Sequence, residues 1–264
     1  MIVGAAVCPG APFLVPGLAP ALAESVRDLV DSCATAIATL VAVDRIVLLT
    51  SGPRALDRSR SFPLTTVLHP PGATVTSGIL TNSRLPGNFR CSLAGTPGTG
   101  RHTGEAPGVG VVVGAALAAS AGISAATTAI ELVSGPSGSG SWTDPSSPAG
   151  RVLAGIEAPG ERVGLLVVGE GSASRGAESS GDGCPGAKRF DDSLVSALRT
   201  GDPAMLGVVV DVEPEEAARL VFTSRSSFGA LAAITSAAPP TRSELLYAGA
   251  PLGVGYVVAR WSWG

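Results

Sequence analysis

Few side chains in this sequence are equipped for chemistry, and the histidines are the first to weigh. His69 and His102 are the two present, both in Pro- and Gly-rich surroundings. A histidine metal site usually draws two or more imidazoles, or imidazole with carboxylates, from strand ends. Two histidines in an irregular stretch fit a solvated surface better. The cysteines, Cys8, Cys33, Cys91 and Cys184, are widely spaced and form no CxxC pair, which argues against a zinc knuckle or a thioredoxin-like motif. They read as buried, reduced thiols, with two disulfides as the alternative.

The segment GEGSASRG at 169–176 looks superficially like a phosphate-cradling loop. Its glycine spacing is not GxGxxG and no GK[ST] follows, so nucleotide binding has little support. Ser172 and Ser174 would act as nucleophiles only beside a base, and neither histidine is near them in sequence. Glu170, at a strand terminus, and Glu244, beside the last strands, would suit acid/base chemistry or a hard cation if they shared a pocket. The plainer expectation is that each is solvated or paired with an arginine such as Arg175 or Arg242.

The elements that must position these residues follow from periodicity. Ile2–Val7 is a short apolar strand closed by the Pro- and Gly-rich CPGAPFLVPG, where proline fixes φ and removes ladder donors. From Leu18 to Val41 the apolar residues recur every three or four positions, predicting a helix. Strand RIVLLT at 45–50 follows, so strand, helix and strand predict a right-handed parallel crossover. Residues 57–108 read as irregular, with a strand near 64–68. A helix at 109–121, a strand at 125–133 and a Gly/Ser/Pro loop at 134–148, read as a linker rather than a lid, come next. A helical stretch at 151–157 leads to the buried strand VGLLVV at 163–168, which runs into the Gly/Ser loop, the geometry in which α/β folds place ligand sites. Helices at 190–199, 214–222 and 227–237 precede strands at 244–247 and 254–261.

Composition sets the outer limits. Hydrophobic residues make up 45% of the 264-residue chain and charged residues 15%, enough for a large core and unlike a disordered chain. With a net charge of −3 and no Lys/Arg cluster, nucleic acid is not an expected partner. Lys188 is the sole lysine, which fits codon bias in a GC-rich genome and carries no chemistry. Residues 106–130 carry no charge, but glycines and Pro107 interrupt them and no basic cluster flanks them, so no membrane span is expected. The apolar start lacks a basic leader region and reads as a first strand, which predicts a cytoplasmic protein.

Three segments together carry a family resemblance: AAVCPGAPFLVPGLA at the start, GEGSAS after a buried strand, and SELLYAGAPLGVGYVVARW at the end. They resemble the class III extradiol ring-cleavage dioxygenase B-subunit-like proteins, particularly the compact actinobacterial type. The similarity spans most of the chain and is sparse between residues 55 and 105. It implies a single α/β domain over 1–264, with a central mixed or mostly parallel sheet flanked by helices on both faces. It would also imply Fe(II), held by a histidine in a P-H-x-P pattern after the first strand, a second histidine after the second strand, and a carboxylate. Here the first pattern reads Pro9, Gly10, Ala11, Pro12 and the second loop reads Gly52, Pro53, Arg54. Gly10 has no ligand atom and Arg54 is a permanent cation, so both oppose Fe(II) and no cofactor is expected.

The resulting expectation is a family member without ring-cleavage activity, binding a small molecule or a protein partner. Its remnant pocket would be built from loops 8–17, 51–60 and 169–183, with Cys8, Pro12, Ser51, Arg54, Glu170, Ser172 and Glu244 around it and Arg54 as an anion contact. One alternative is a metal-dependent dioxygenase or a hydrolase with a rearranged site using Glu170, Glu244 and His69 or His102. Another is an assembly subunit or homo-oligomer with an exposed Trp261 and Trp263 end as its interface.

Overall fold

A computed structural model of the protein describes residues 1–52, 64–69, 90–93, 108–132, 156, 159–176 and 183–264, with the backbone alone for 64–69, 90–93, 126 and 131. Strands β1 (Ile2–Cys8), β2 (Arg45–Ser51), β3 (Leu64–His69), β4 (Arg90–Leu93), β5 (Ala126–Leu132), β6 (Val163–Val168), β7 (Arg242–Gly249) and β8 (Tyr256–Ser262) form one eight-stranded sheet in the order β4-β3-β5-β2-β6-β1-β8-β7. The four central strands, β5, β2, β6 and β1, run parallel. An antiparallel pair closes each side. The fold is therefore α/β with a mixed sheet; the strand and helix pattern predicts the α/β crossover, and a mixed or mostly parallel sheet is what the resemblance implies.

The period of two along the strands sorts the core into two layers. Val7, Val47, Leu49, Leu165 and Val167 face a cluster containing Leu194, Leu198, Leu206, Phe228 and Trp261. Ala6, Cys8, Ile46, Leu48, Leu166 and Val168 face the opposite cluster, with Leu29, Cys33, Ile37, Val111 and Val113. Helices α1 (Arg27–Ala38) and α2 (Val109–Ser120) cover that second face, while α3 (Ala187–Thr200), α4 (Pro203–Val210) and α6 (Arg225–Thr235) supply the first. Short α5 (Pro214–Arg219) leads into α6. Because β1, β2 and β6 are covered on both sides, their sequences are continuous apolar runs.

Several expectations need correction. The helix expected from Leu18 begins only at Arg27; Pro20 opens a one-turn 3-10 helix at Pro20–Leu22, and Val26 leaves helical geometry at φ −118° and ψ 11°. Helix α4 was not anticipated. Asp202 decides it, because its side chain accepts hydrogen bonds from the backbone N–H of Ala204 (2.9 Å) and Met205 (3.2 Å), and Pro203 sits at the first helical position. Strand β4 was also unforeseen. The C-terminal tryptophans are no exposed interface: Trp261 is fully buried with its indole N–H donating to Leu198 O, and half-buried Trp263 donates to Ala238 O. Residues 133–155, which hold the expected linker loop and the start of the 151–157 helix, lie outside the described residues. No described helix is long and apolar enough to cross a membrane.

The end of α5 carries a backbone irregularity. Phe222 N–H donates to Ala217 O and Val221 N–H to Ala218 O, the paired bonds of a Schellman cap, yet the left-handed position is filled by Val221 at φ 49°. A β-branched side chain there is strained by roughly 1–2 kcal/mol. Val221→Gly should therefore raise stability by about 0.5–1 kcal/mol after the added unfolded-state entropy of glycine, read as a small rise in Tm. A fall in Tm would mean that the half-exposed Val221 side chain makes contacts worth more than the strain.

Candidate functional site

The parallel strands deliver three loops to one end of the sheet: Pro9–Gly10 after β1, Gly52 after β2, and the GEGSAS segment after β6. The register continues past β6, since Gly169 N–H donates to Cys8 O at 2.9 Å. Val168 and Glu170 then share a face by the period of two, the face covered by α1 and α2.

GEGSAS is held by a carboxylate from α3. Asp191 is 5% exposed; its Oδ1 accepts from Ser172 N–H at 2.7 Å and its Oδ2 from Arg175 Nη1 at 3.1 Å. Two glycines make room for it. A Cβ on Gly255 would lie 2.6 Å from Asp191 Cγ, and one on Gly171 would lie 3.1 Å from the same atom. Backbone bonds join the same segments: Gly171 N–H to Gly255 O (2.7 Å), Gly255 N–H to Ser172 O (2.8 Å) and Arg175 N–H to Gly253 O (3.1 Å). GEGSAS and the AGAPLGVGY turn are thus zipped together around one carboxylate. Burial raises the Asp191 pKa; the Ser172 N–H and Arg175 oppose that shift.

Glu170 projects from this fixed loop. Its backbone N–H donates to Ser224 Oγ at 2.8 Å, and its Oε2 accepts from Gly10 N–H at 2.8 Å. A Cβ at Gly10 would stand 3.3 Å from that oxygen and 3.2 Å from Val168 Cγ1, so the carboxylate occupies the space a side chain at position 10 would enter. Burial raises the Glu170 pKa against the pull of the Gly10 N–H. Tyr256 stands beside it, its pKa pushed up to about 12 by burial, then by the charge of Glu170 and by Tyr247. The Phe13 ring meets Tyr256 edge-on, with centroids 5.6 Å apart.

The expected pocket residues separate. Cys8 is fully buried beneath the loop, where the Cys33 thiol and burial raise its pKa. Pro12 is exposed at the start of a 3-10 turn one residue before Phe13. Ser51 points to the opposite face, where its Oγ accepts from Ser227 N–H at 3.0 Å and ties α6 to β2. Ser172 is fully buried and its hydroxyl donates to Leu220 O at 2.8 Å, an arrangement for structure rather than nucleophilic attack. Glu244 does not join Glu170: it lies on edge strand β7, three strands from β6 or about 14 Å at ordinary spacing, and accepts from Arg260 Nε at 2.9 Å. Arg54 and His102 lie outside the described residues, and the His69 side chain is not described. Asp191 and Tyr256 are the site residues that sequence reasoning missed.

The Fe(II) that the family resemblance implies does not fit the described residues. Gly10 offers no donor atom, its N–H is committed to Glu170, and no group of three His, Cys, Asp or Glu side chains able to hold a metal exists among the described residues. What remains is a half-buried carboxylate with a phenol and an aromatic ring beside it. Those groups can accept hydrogen bonds, donate one from the phenol, and present negative charge.

No protein-family model and no curated protein matches the chain. Among solved structures, the chain is similar to the uncharacterized protein JW3007 from Escherichia coli K12, at a TM-score of 0.49 and 13% identity, covering 98% of this chain and 100% of that one. At that level the likeness carries no argument about architecture or activity.

The Asp191 cradle makes a direct prediction. Gly255→Ala should destabilise the protein by more than about 2 kcal/mol, because overpacking here drives a methyl group into a buried carboxylate. Asp191→Ala should cost about 2–4 kcal/mol by leaving the Ser172 N–H unsatisfied and breaking the Arg175 ion pair. Chemical denaturation measures both; a loss below about 0.5 kcal/mol for each would show that the loop holds without the carboxylate.

Proposed function

We propose that the protein is a small-molecule binder built on a ring-cleavage-dioxygenase-like scaffold without iron chemistry, with its ligand at the C-terminal end of the parallel strands. The observation that carries this reading is the Gly10–Glu170 hydrogen bond of 2.8 Å. Where the resemblance calls for a metal-binding histidine, a backbone N–H instead steadies a carboxylate, and that carboxylate fills the space. Glu170 is positioned from two directions, by Ser224 at its backbone and Gly10 at its side chain, as a fixed recognition group must be. Glu170 follows the C-terminal end of β6, the end of the parallel strands at which open α/β sheets place ligands.

Metal content provides the test. Protein purified without chelator and analysed by mass spectrometry should carry well under one iron or zinc per chain, and titration with Fe(II) or Zn(II) should leave its thermal stability unchanged. Near-stoichiometric metal, or a rise of several degrees in Tm on adding Fe(II), would restore an enzymatic reading with ligands drawn from residues such as His69 and His102.

A further inference from the structure

Buried polar groups in folded proteins are hydrogen-bonded, so those without a partner point to something the site is built to receive. One such group, Tyr256, stands here beside the half-buried carboxylate of Glu170. Tyr256 is 5% exposed, and its hydroxyl has no hydrogen-bond partner among the described residues. Glu170 commits Oε2 to Gly10, while its Oε1 has no partner among the described residues. Backbone geometry fixes their proximity, because the Gly171 N–H to Gly255 O bond of 2.7 Å joins the residues next to each of them.

The surroundings select the charge of the ligand. The ionisable groups that influence this corner are Glu170 from the β6 loop, Tyr256 from β8, Tyr247 from β7 and Asp28 from α1. All are acids, and no described arginine or lysine acts on Glu170 or either tyrosine. The Phe13 and Tyr256 rings contribute π-systems, whose faces attract positive charge. Among the described residues an anion would meet only acids, and a neutral hydroxyl would satisfy the hydrogen bonds without meeting the charge. An ammonium group carries three donors and no acceptor, which matches a carboxylate oxygen and a phenol oxygen that lack partners among the described residues.

We propose that Glu170 and Tyr256 form a subsite for a protonated primary amine on a small organic molecule. This rests on the small-molecule reading above and names its ligand class. The amine donates to Glu170 Oε1 and Tyr256 Oη, while the Gly10 N–H holds the other carboxylate oxygen in place.

Calorimetric titration of the full chain near neutral pH with benzylamine and with its neutral isostere benzyl alcohol tests the assignment. Benzylamine should bind at least about tenfold more tightly, since a charge-assisted hydrogen bond replaces a neutral one. Glu170→Gln should remove that preference. Tyr256→Phe, which deletes a hydroxyl without a partner among the described residues and should keep the Tm, should weaken amine binding roughly threefold or more. Equal affinity for the two probes, or a Glu170→Gln variant that still prefers the amine, would overturn the amine assignment and leave the pocket reading standing. Binding of neither probe to a folded protein would remove the pocket reading and the amine assignment with it.

Discussion

The arrangement at the C-terminal end of the sheet depends on one buried carboxylate. Asp191 stands on α3, yet its partners are the Ser172 N–H and Arg175 in the loop after β6, and its space is provided by Gly171 and Gly255. Three segments distant in sequence are thereby fixed relative to each other. A charge removed from water is costly unless its hydrogen bonds are made, so this loop conformation is strongly preferred over those that leave Asp191 unpaired. The same requirement explains why both facing positions are glycine, because any Cβ there would displace the oxygens that make the bonds.

From that anchor the rest of the site follows by short steps. With 171–172 fixed against Gly255, Glu170 and Tyr256 are brought to neighbouring positions. Ser224, at the start of α6, fixes the Glu170 backbone, and Ser51 accepts from Ser227 one turn further on. The first face therefore clamps the loop while the second face receives the Glu170 side chain. Gly10 completes the second face, its lack of a side chain letting the carboxylate reach the β1 loop. Structural support and the Glu170 side chain thus lie on opposite sides of the same strand end.

Much of the fold was legible in the sequence, for identifiable reasons. Strands β1, β2 and β6 are short apolar runs ending in Pro, Gly or Ser, and their burial on both faces makes them conspicuous. Helix α4 was legible in principle, because Asp202–Pro203 is a helix-start signal, but the β-branched run after it has strand propensity. The true start of α1 was hidden, because apolar spacing continues through Pro20 although the backbone does not. Glu170 could be found from its place after a buried strand. Asp191 could not, because in sequence it looks like one of two surface acids on a helix, and only the tertiary contact with Gly171 and Gly255 gives it a role. Glu244 misled for the complementary reason: its nearness to the last strands says nothing about which end of the sheet it occupies.

The central claim is that Glu170 is a desolvated carboxylate held by a backbone N–H and awaiting a cationic partner. Carbon-detected NMR titration of the Glu170 carboxyl in the ligand-free protein tests it most directly. Burial disfavours the ionised form, so the group should titrate above the usual glutamate value of 4.5, and Tyr256→Phe should leave that inflection above it. Titration at or below 4.5 would mean that the carboxylate already faces a cation or open water, and would contradict the account.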